Sequence, residues 1–131
     1  MPQTFDVLTL GSEIPHYPVG EYAFLLPAFD ETECGVVLAA VPSLLLSNCV
    51  QLCCVGAKAE ALHDAIDDLL ADKGKHHILT TYDADLEEAC EYFVYAAGMS
   101  VAHLVALVAE HPLLISKLDK VREEYRRDSR P

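Results

Sequence analysis

The sequence predicts an α/β fold: one three-layer domain with a mostly parallel sheet of four or five strands and helices on both faces, Rossmann-like or flavodoxin-like in kind. Three observations carry that expectation. Segments such as "CVQLCCVG" (49–56) are short and apolar on both faces, as in strands covered above and below. Amphipathic stretches such as "AKAEALHDAIDDLLADKG" (57–74) alternate with them. The resulting order, β-α-β-α-β-α-β-α, requires right-handed crossovers between parallel strands. Residues 1–131 are expected to form a single domain, with 1–20 as an amino-terminal arm or edge strand and 112–131 as a carboxy-terminal helix and tail.

Each element follows from its pattern. "TFDVLTL" (4–10) reads as a short strand before a loop punctuated by Pro15, Pro18 and Gly20. "EYAFLLPAF" (21–29) is a buried strand; Pro27 donates no ladder hydrogen bond, so the strand ends there or lies at an edge. Residues 30–48 read as a helix capped by Asp30 or Thr32, which Pro42 is expected to kink or split. In the strand 49–56, which Gly56 ends, period two places Cys49, Gln51, Cys53 and Val55 on one face and Val50, Leu52 and Cys54 on the other. In the next helix Leu62, Ile66, Leu69 and Leu70 face the core, and Lys73-Gly74 closes it.

"HHILTTYD" (76–83) is another strand. Asp85 and Glu88 have the spacing of a capping box before a helix over 85–98, whose core stripe is Leu86, Ala89, Cys90, Phe93, Val94 and Ala97, with Gly98 as its stop. The period of "VAHLVALVAE" (101–110) fits strand or helix, and its valines and its place after a helix favour strand. Pro112 starts a last helix along Leu114, Leu118 and Val121, with a fraying end.

Composition bounds the function. At 131 residues, with 52% hydrophobic and 23% charged residues, the chain can bury a core of its own. No apolar run is long enough to cross a bilayer, and the first residues lack a basic segment followed by an apolar one, so neither a membrane span nor a secretory leader is expected. Five cysteines, an odd number with no C-x-x-C pair, fit a reducing cytoplasm and buried thiols better than disulfides. Nine basic residues against 21 acidic ones leave a net charge of −12. Residues 1–72 sum to −10 with Lys58 their one base, whereas residues 111–131 sum to +2. Such a body repels nucleic-acid backbones and attracts basic proteins.

From Gly56 to Asp68, and again at Thr80–Asp83, the chain resembles a small bacterial α/β family known as a domain of unknown function. That family's pattern is a strand ending Trp-Gly-Pro, then Cys-Glu, His-Asp and an Asp pair, and a later strand ending Thr-Thr-Trp-His. Gly56, Glu60, His63, Asp64, Asp67, Asp68, Thr80 and Thr81 match it. Val55, Ala57, Ala59, Tyr82 and Asp83 depart from it, and with Ala59 and Asp83 the reactive Cys and His positions are lost. The resemblance spans residues 22–97 and implies the α/β fold and a bacterial source, with no activity attached.

The candidate chemistry lies in three places. Ligands of open parallel sheets sit beyond the carboxyl ends of the strands, so Gly56, Lys58, Thr80, Thr81 and Asp83 form a candidate rim for a small anion. Phosphate-loop motifs are lacking, and the nearby acids oppose an anion. On the second helix Glu60, His63, Asp64 and Asp67 make a contiguous polar stripe, which reads as a solvated or partner-facing surface. On the third, Glu88, Glu91, Tyr92 and Tyr95 interleave carboxylates with tyrosines, a combination suited to a basic protein surface. His76-His77 and Cys53-Cys54 lack zinc-ligand spacing, so no metal and no cofactor is expected. Cys54, at the rim end of its strand, is the best-placed thiol but has no basic neighbour to activate it.

Together these features predict a non-enzymatic, acidic protein-binding module: an immunity-type inhibitor of a basic toxin, or a self-associating domain. The alternative is an anion-binding or hydrolytic domain using the rim.

Overall fold

The computed structural model describes residues 2–128. Five strands, β1 (Thr4–Val7), β2 (Tyr22–Pro27), β3 (Cys49–Val55), β4 (Leu79–Asp83) and β5 (His103–Ala106), form one sheet in the order β1-β5-β2-β3-β4. All four pairings are parallel. The helices are α1 (Glu31–Leu44), α2 (Ala59–Asp72), α3 (Leu86–Glu91) with its continuations, and α5 (Pro112–Asp128). The α/β class read from the sequence is therefore the fold. None of these helices is long and apolar enough to cross a membrane.

Period-two alternation distributes the core between two layers. Tyr22, Phe24, Leu26, Leu52 and Cys54 pack against Val37, Val41 and Leu44 of α1 and Leu62, Ile66 and Leu70 of α2. Ala23, Leu25, Cys53 and Val55 pack on the opposite face against Cys90, Phe93, Val94, Leu114, Leu118 and Val121. Each fully buried Leu, Ile or Phe contributes about 1.5–3 kcal/mol, which outweighs the few tenths by which local propensities differ.

Four local expectations are corrected. Opposite Tyr22 and Ala23 the ladder skips from Cys49 to Gln51, leaving Val50 as a bulge. Cys49 therefore packs with Leu52 and Cys54, and Val50 with the layer of Cys53 and Val55, the reverse of strict alternation. Pro42 neither splits nor ends α1, which runs to Leu44 before tightening into a 3₁₀ turn at Leu45–Ser47. Pro42 gives up one hydrogen bond to the Leu38 carbonyl, a cost that the burial of Val41 and Leu44 on either side of it outweighs.

Third, Gly98 does not stop the third helix. After Glu91 the chain winds as a π-helix over Tyr92–Ala97 and closes with one α turn, α4 (Gly98–Ser100). The Gly98 N–H donates to the Phe93 carbonyl five residues back. Gly98 serves close packing instead, since a Cβ there would sit 3.2 Å from Leu104. Fourth, His76 and His77 lie in an exposed turn before β4 and not on the strand. The fraying expected at the extreme carboxy terminus concerns residues 129–131, outside the described residues.

The amino-terminal segment is tied down. Edge strand β1 pairs with β5. Behind it, the Tyr22 hydroxyl donates to the Pro15 carbonyl and accepts from the Tyr17 N–H, both at 2.7 Å. His103 is buried on β5, yet both its nitrogens are satisfied: Nε2 meets the Val19 carbonyl at 2.7 Å and Nδ1 the Thr4 hydroxyl at 2.9 Å. A carbonyl only accepts, so Nε2 carries a proton there.

Candidate functional site

Strands β3 and β4 leave the sheet side by side, with Val55 opposite Asp83, so the two turns singled out in the sequence meet on one rim. The Gly56 N–H donates to the Asp83 carbonyl at 3.1 Å, and the Lys58 N–H to the Ala28 carbonyl at 2.7 Å. Gly56 has φ +127°, and a Cβ would come within 2.6 Å of the Ala28 oxygen. The turn is thus stitched to the exit of β2, and its Gly56 and Lys58 amides already have protein acceptors.

The other rim residues diverge. The Lys58 side chain borders a groove of about 240 Å³ between α1 and α2, beside Glu31, Cys34, Leu38 and Ala61. Thr80 and Thr81 sit in the body of β4 opposite Leu52 and Cys53 and point to opposite faces. Thr80 turns to α2. Thr81 lines a small cavity of about 100 Å³ with Cys53, Asp83, Ala89 and Tyr92. Gly56 and Asp83 are brought together; Lys58, Thr80 and Thr81 each go elsewhere.

Along α2 the polar stripe engages the edge strand. The Thr80 hydroxyl donates to Asp67 Oδ1 at 2.5 Å, and the Tyr82 hydroxyl to Glu60 Oε2 at 2.9 Å. His63 lies between them, its Nδ1 3.0 Å from Asp64 and its Nε2 3.4 Å from Asp67, with its ring 4.7 Å from that of Tyr82. The Glu60 carboxylate beside the Tyr82 hydroxyl raises the phenol above its ordinary value. Sequence spacing located Glu60, His63, Asp64 and Asp67 but missed Thr80 and Tyr82 as their partners. The available signal was the shared parity of Thr80 and Tyr82 on β4.

Strand β4 is the outer edge of the sheet, and Leu79 and Tyr82 on it are 50% and 47% exposed. Beyond it, on the opposite face, stand the acids of α3. Asp85 caps this helix by accepting from the Glu88 N–H at 2.9 Å, but the capping box expected from the spacing is not closed, because the Asp85 N–H donates to Asp83 Oδ1 at 2.9 Å and not to Glu88. The charge of Asp83, then a hydrogen bond to it, and then Asp85 raise the Glu88 carboxyl. The eight candidate partner residues therefore do not form one patch: the α2 four and the α3 four flank β4 from opposite faces. Tyr92 turns inward, its hydroxyl 3.3 Å from Gln51 Oε1. Tyr95 docks on α5, donating to Asp128 at 3.0 Å and meeting the Tyr125 ring edge-to-face at 5.1 Å.

A constellation absent from the sequence reading occupies the topological switch point. There β2 is followed by α1 on one face and its neighbour β5 by α5 on the other, the crevice where open α/β sheets hold ligands. Asp30 caps α1 by accepting from the Glu33 N–H, and Glu33 accepts from the Phe29 N–H, both at 2.8 Å. The second Glu33 oxygen meets His111 Nε2 at 2.5 Å, and the His111 ring lies 4.3 Å from the Phe29 ring. Phe29, Glu33 and His111 thus meet across the crevice. Its signal in the sequence was the Asp30-x-x-Glu33 spacing.

The thiols are poorly disposed to react. Burial pushes Cys49 and Cys90 up to about 12 and Cys53 up to about 11, and raises Cys54 as well. Cys34 alone is partly exposed, and it too is raised, by burial first and then by Glu33 and Asp30. Among the described residues no group of three His, Cys, Asp or Glu side chains is placed to hold a metal ion.

No curated protein and no solved structure matches the chain. One family model does, over residues 7–128, which include the whole rim, the α2 stripe, the β4 edge strand and the Glu33–His111 crevice. The chain accordingly belongs to the family described as "Domain of unknown function (DUF7684)".

Proposed function

We propose that the protein is a non-enzymatic acidic binding module that takes a basic protein partner at the β4 edge, as an immunity-type inhibitor covers a basic toxin surface. The observation carrying this reading is the crowding of Asp83, Asp85 and Glu88 on one side of an open edge strand, where the other two raise the Glu88 carboxyl and Glu88 enters no ion pair among the described residues. Glu60, Asp64 and Asp67 flank the strand from the other side. A cationic partner relieves that repulsion, and the chain's −12 charge steers it in. The raised thiols favour binding over thiol chemistry. The same acidity disfavours nucleic acid, and the unpaired cysteines fit a bacterial cytoplasm.

The test is affinity capture at low salt, followed by titration of the purified partner against wild type and the charge-reversed Asp64→Lys/Glu88→Lys variant. Binding should weaken at least tenfold on reversal and fall with salt. Failure to recover a stable partner, or equal affinity of both proteins, removes the proposal. Light scattering of the isolated protein checks the self-associating form.

The groove beside Lys58 favours a second reading, a small anionic ligand at the rim. A concentration-dependent rise in the unfolding midpoint with a small carboxylate or phosphate, lost in Lys58→Ala, would support it over the first.

A further inference from the structure

At the opposite end of the sheet, where β1 begins, a cavity of about 230 Å³ opens between that strand, the π segment and α5. Gln3, Phe5, Val94, Tyr125, Arg122 and Arg126 line it. We propose that this cavity binds a compact organic acid, with a carboxylate or phosphate head held by Arg122 and Arg126 and a flat apolar body against Phe5 and Val94.

The charges point there. In a chain of net −12, a carboxylate could readily have been placed beside each arginine, yet among the described residues Arg122 enters no ion pair. Arg126, one turn on, keeps only a 3.8 Å contact with exposed Glu123. The Arg122 guanidinium carbon lies over the Phe5 ring, 4.0 Å from its centroid, which holds in place a fork of N–H donors suited to a bidentate acceptor. Burial first and then the neighbouring Arg126 lower the Arg122 pKa, Asp119 and Asp6 offset part of this at a distance, and an anion between the two arginines would relieve the rest. The helix that supplies both arginines is the least acidic stretch of the chain, with five bases against four acids over 111–128 where residues 1–72 sum to −10.

The walls point to the body of the ligand. Phe5, stacked edge-to-face on Phe93 at 5.9 Å, is fixed in place as an apolar surface. Val94 belongs to the π segment, a helical form that recurs at functional sites because it re-aims side chains at little cost elsewhere. The volume lies below the roughly 300–1,000 Å³ of drug-sized sites, which limits the occupant to a single small ring or short chain.

The probes are benzoate, phenyl phosphate, inorganic phosphate and benzylamine, titrated into the full chain while the amide resonances of Phe5 and Val94 are followed by NMR. Benzoate or phenyl phosphate should shift them saturably, inorganic phosphate at least tenfold more weakly, and benzylamine not at all. Arg122→Gln should weaken the aromatic anion about tenfold or more, the loss of a charge-assisted hydrogen bond. If that variant does not fold, exposed Arg126→Gln should show a smaller loss in the same direction. Absence of saturable shifts with both aromatic anions, or unchanged affinity in the folded arginine variant, overturns the site. Inorganic phosphate binding as tightly as phenyl phosphate overturns the apolar half of it.

Discussion

Glu33 and His111, 78 positions apart, meet at 2.5 Å across the crevice between β2 and β5. The contact joins the first turn of α1 to the residue before α5, and so ties together helices on opposite faces of the sheet.

Breaking that contact is expected to loosen both helix starts. Glu33 is 16% and His111 25% exposed, so each leaves a partly buried polar partner behind when removed. His111→Ala and Glu33→Ala should each cost about 1–3 kcal/mol, with the double variant costing less than their sum. Urea denaturation of the four proteins measures it; strict additivity would mean the two groups do not interact in solution.

Gly56→Ala should destabilise by about 2 kcal/mol or more, from the positive φ and from the 2.6 Å approach to the Ala28 carbonyl. Gly74, at φ +67° with nothing within 4 Å, supplies the control. Gly74→Ala should cost about 1 kcal/mol, the backbone contribution alone. Equal midpoints for the two variants would contradict the packing at Gly56.

Stability should fall steeply in alkali. The folded-state pKa values of Cys49, Cys53 and Cys90 are raised to about 12, 11 and 12, above that of an unfolded thiol near 8.5. Below that unfolded value the thiols are neutral in both states and their contribution is complete. As pH rises past it, the unfolded chain ionises first, and each buried thiol then removes up to ~1.4 kcal/mol per pH unit until its folded value is reached. Urea midpoints from pH 7 to 10.5 should be flat and then drop, with a shallower drop in Cys53→Ala.

Thiol labelling tests the burial pattern directly. Cys34 alone should react with an aromatic disulfide reagent under native conditions at pH 8, and slowly, because its own pKa is raised. The other four should react only with denaturant. A second fast-reacting thiol would show that the strand cysteines are less enclosed than described.

Much of this was legible in the primary structure. Strands β2 to β4, the helices between them, the Asp85 cap, the Leu114, Leu118 and Val121 stripe and the adjacency of Gly56 and Asp83 follow from period and punctuation, which are local properties of the chain, whereas β5 rested on its valines and its place after a helix. The bulge at Val50 was not, because a ladder slips according to its partner strand. Nor was the π segment, since a helix of that kind has the same apolar stripe as the α-helix expected at Tyr92–Ala97.

By itself the sequence determined which residues are apolar, acidic or turn-forming and therefore the α/β class, the parallel sheet and the acidic surface. Only the tertiary structure decided which of those residues meet. Strand order, with β5 inserted between β1 and β2, made β4 an edge, divided the acids of α2 and α3 between two faces, and set Glu33 against His111 and Arg122 over Phe5. Local backbone preferences act over a few residues, whereas such contacts arise from closing loops of dozens of residues around a shared core. No spacing along the chain encodes them.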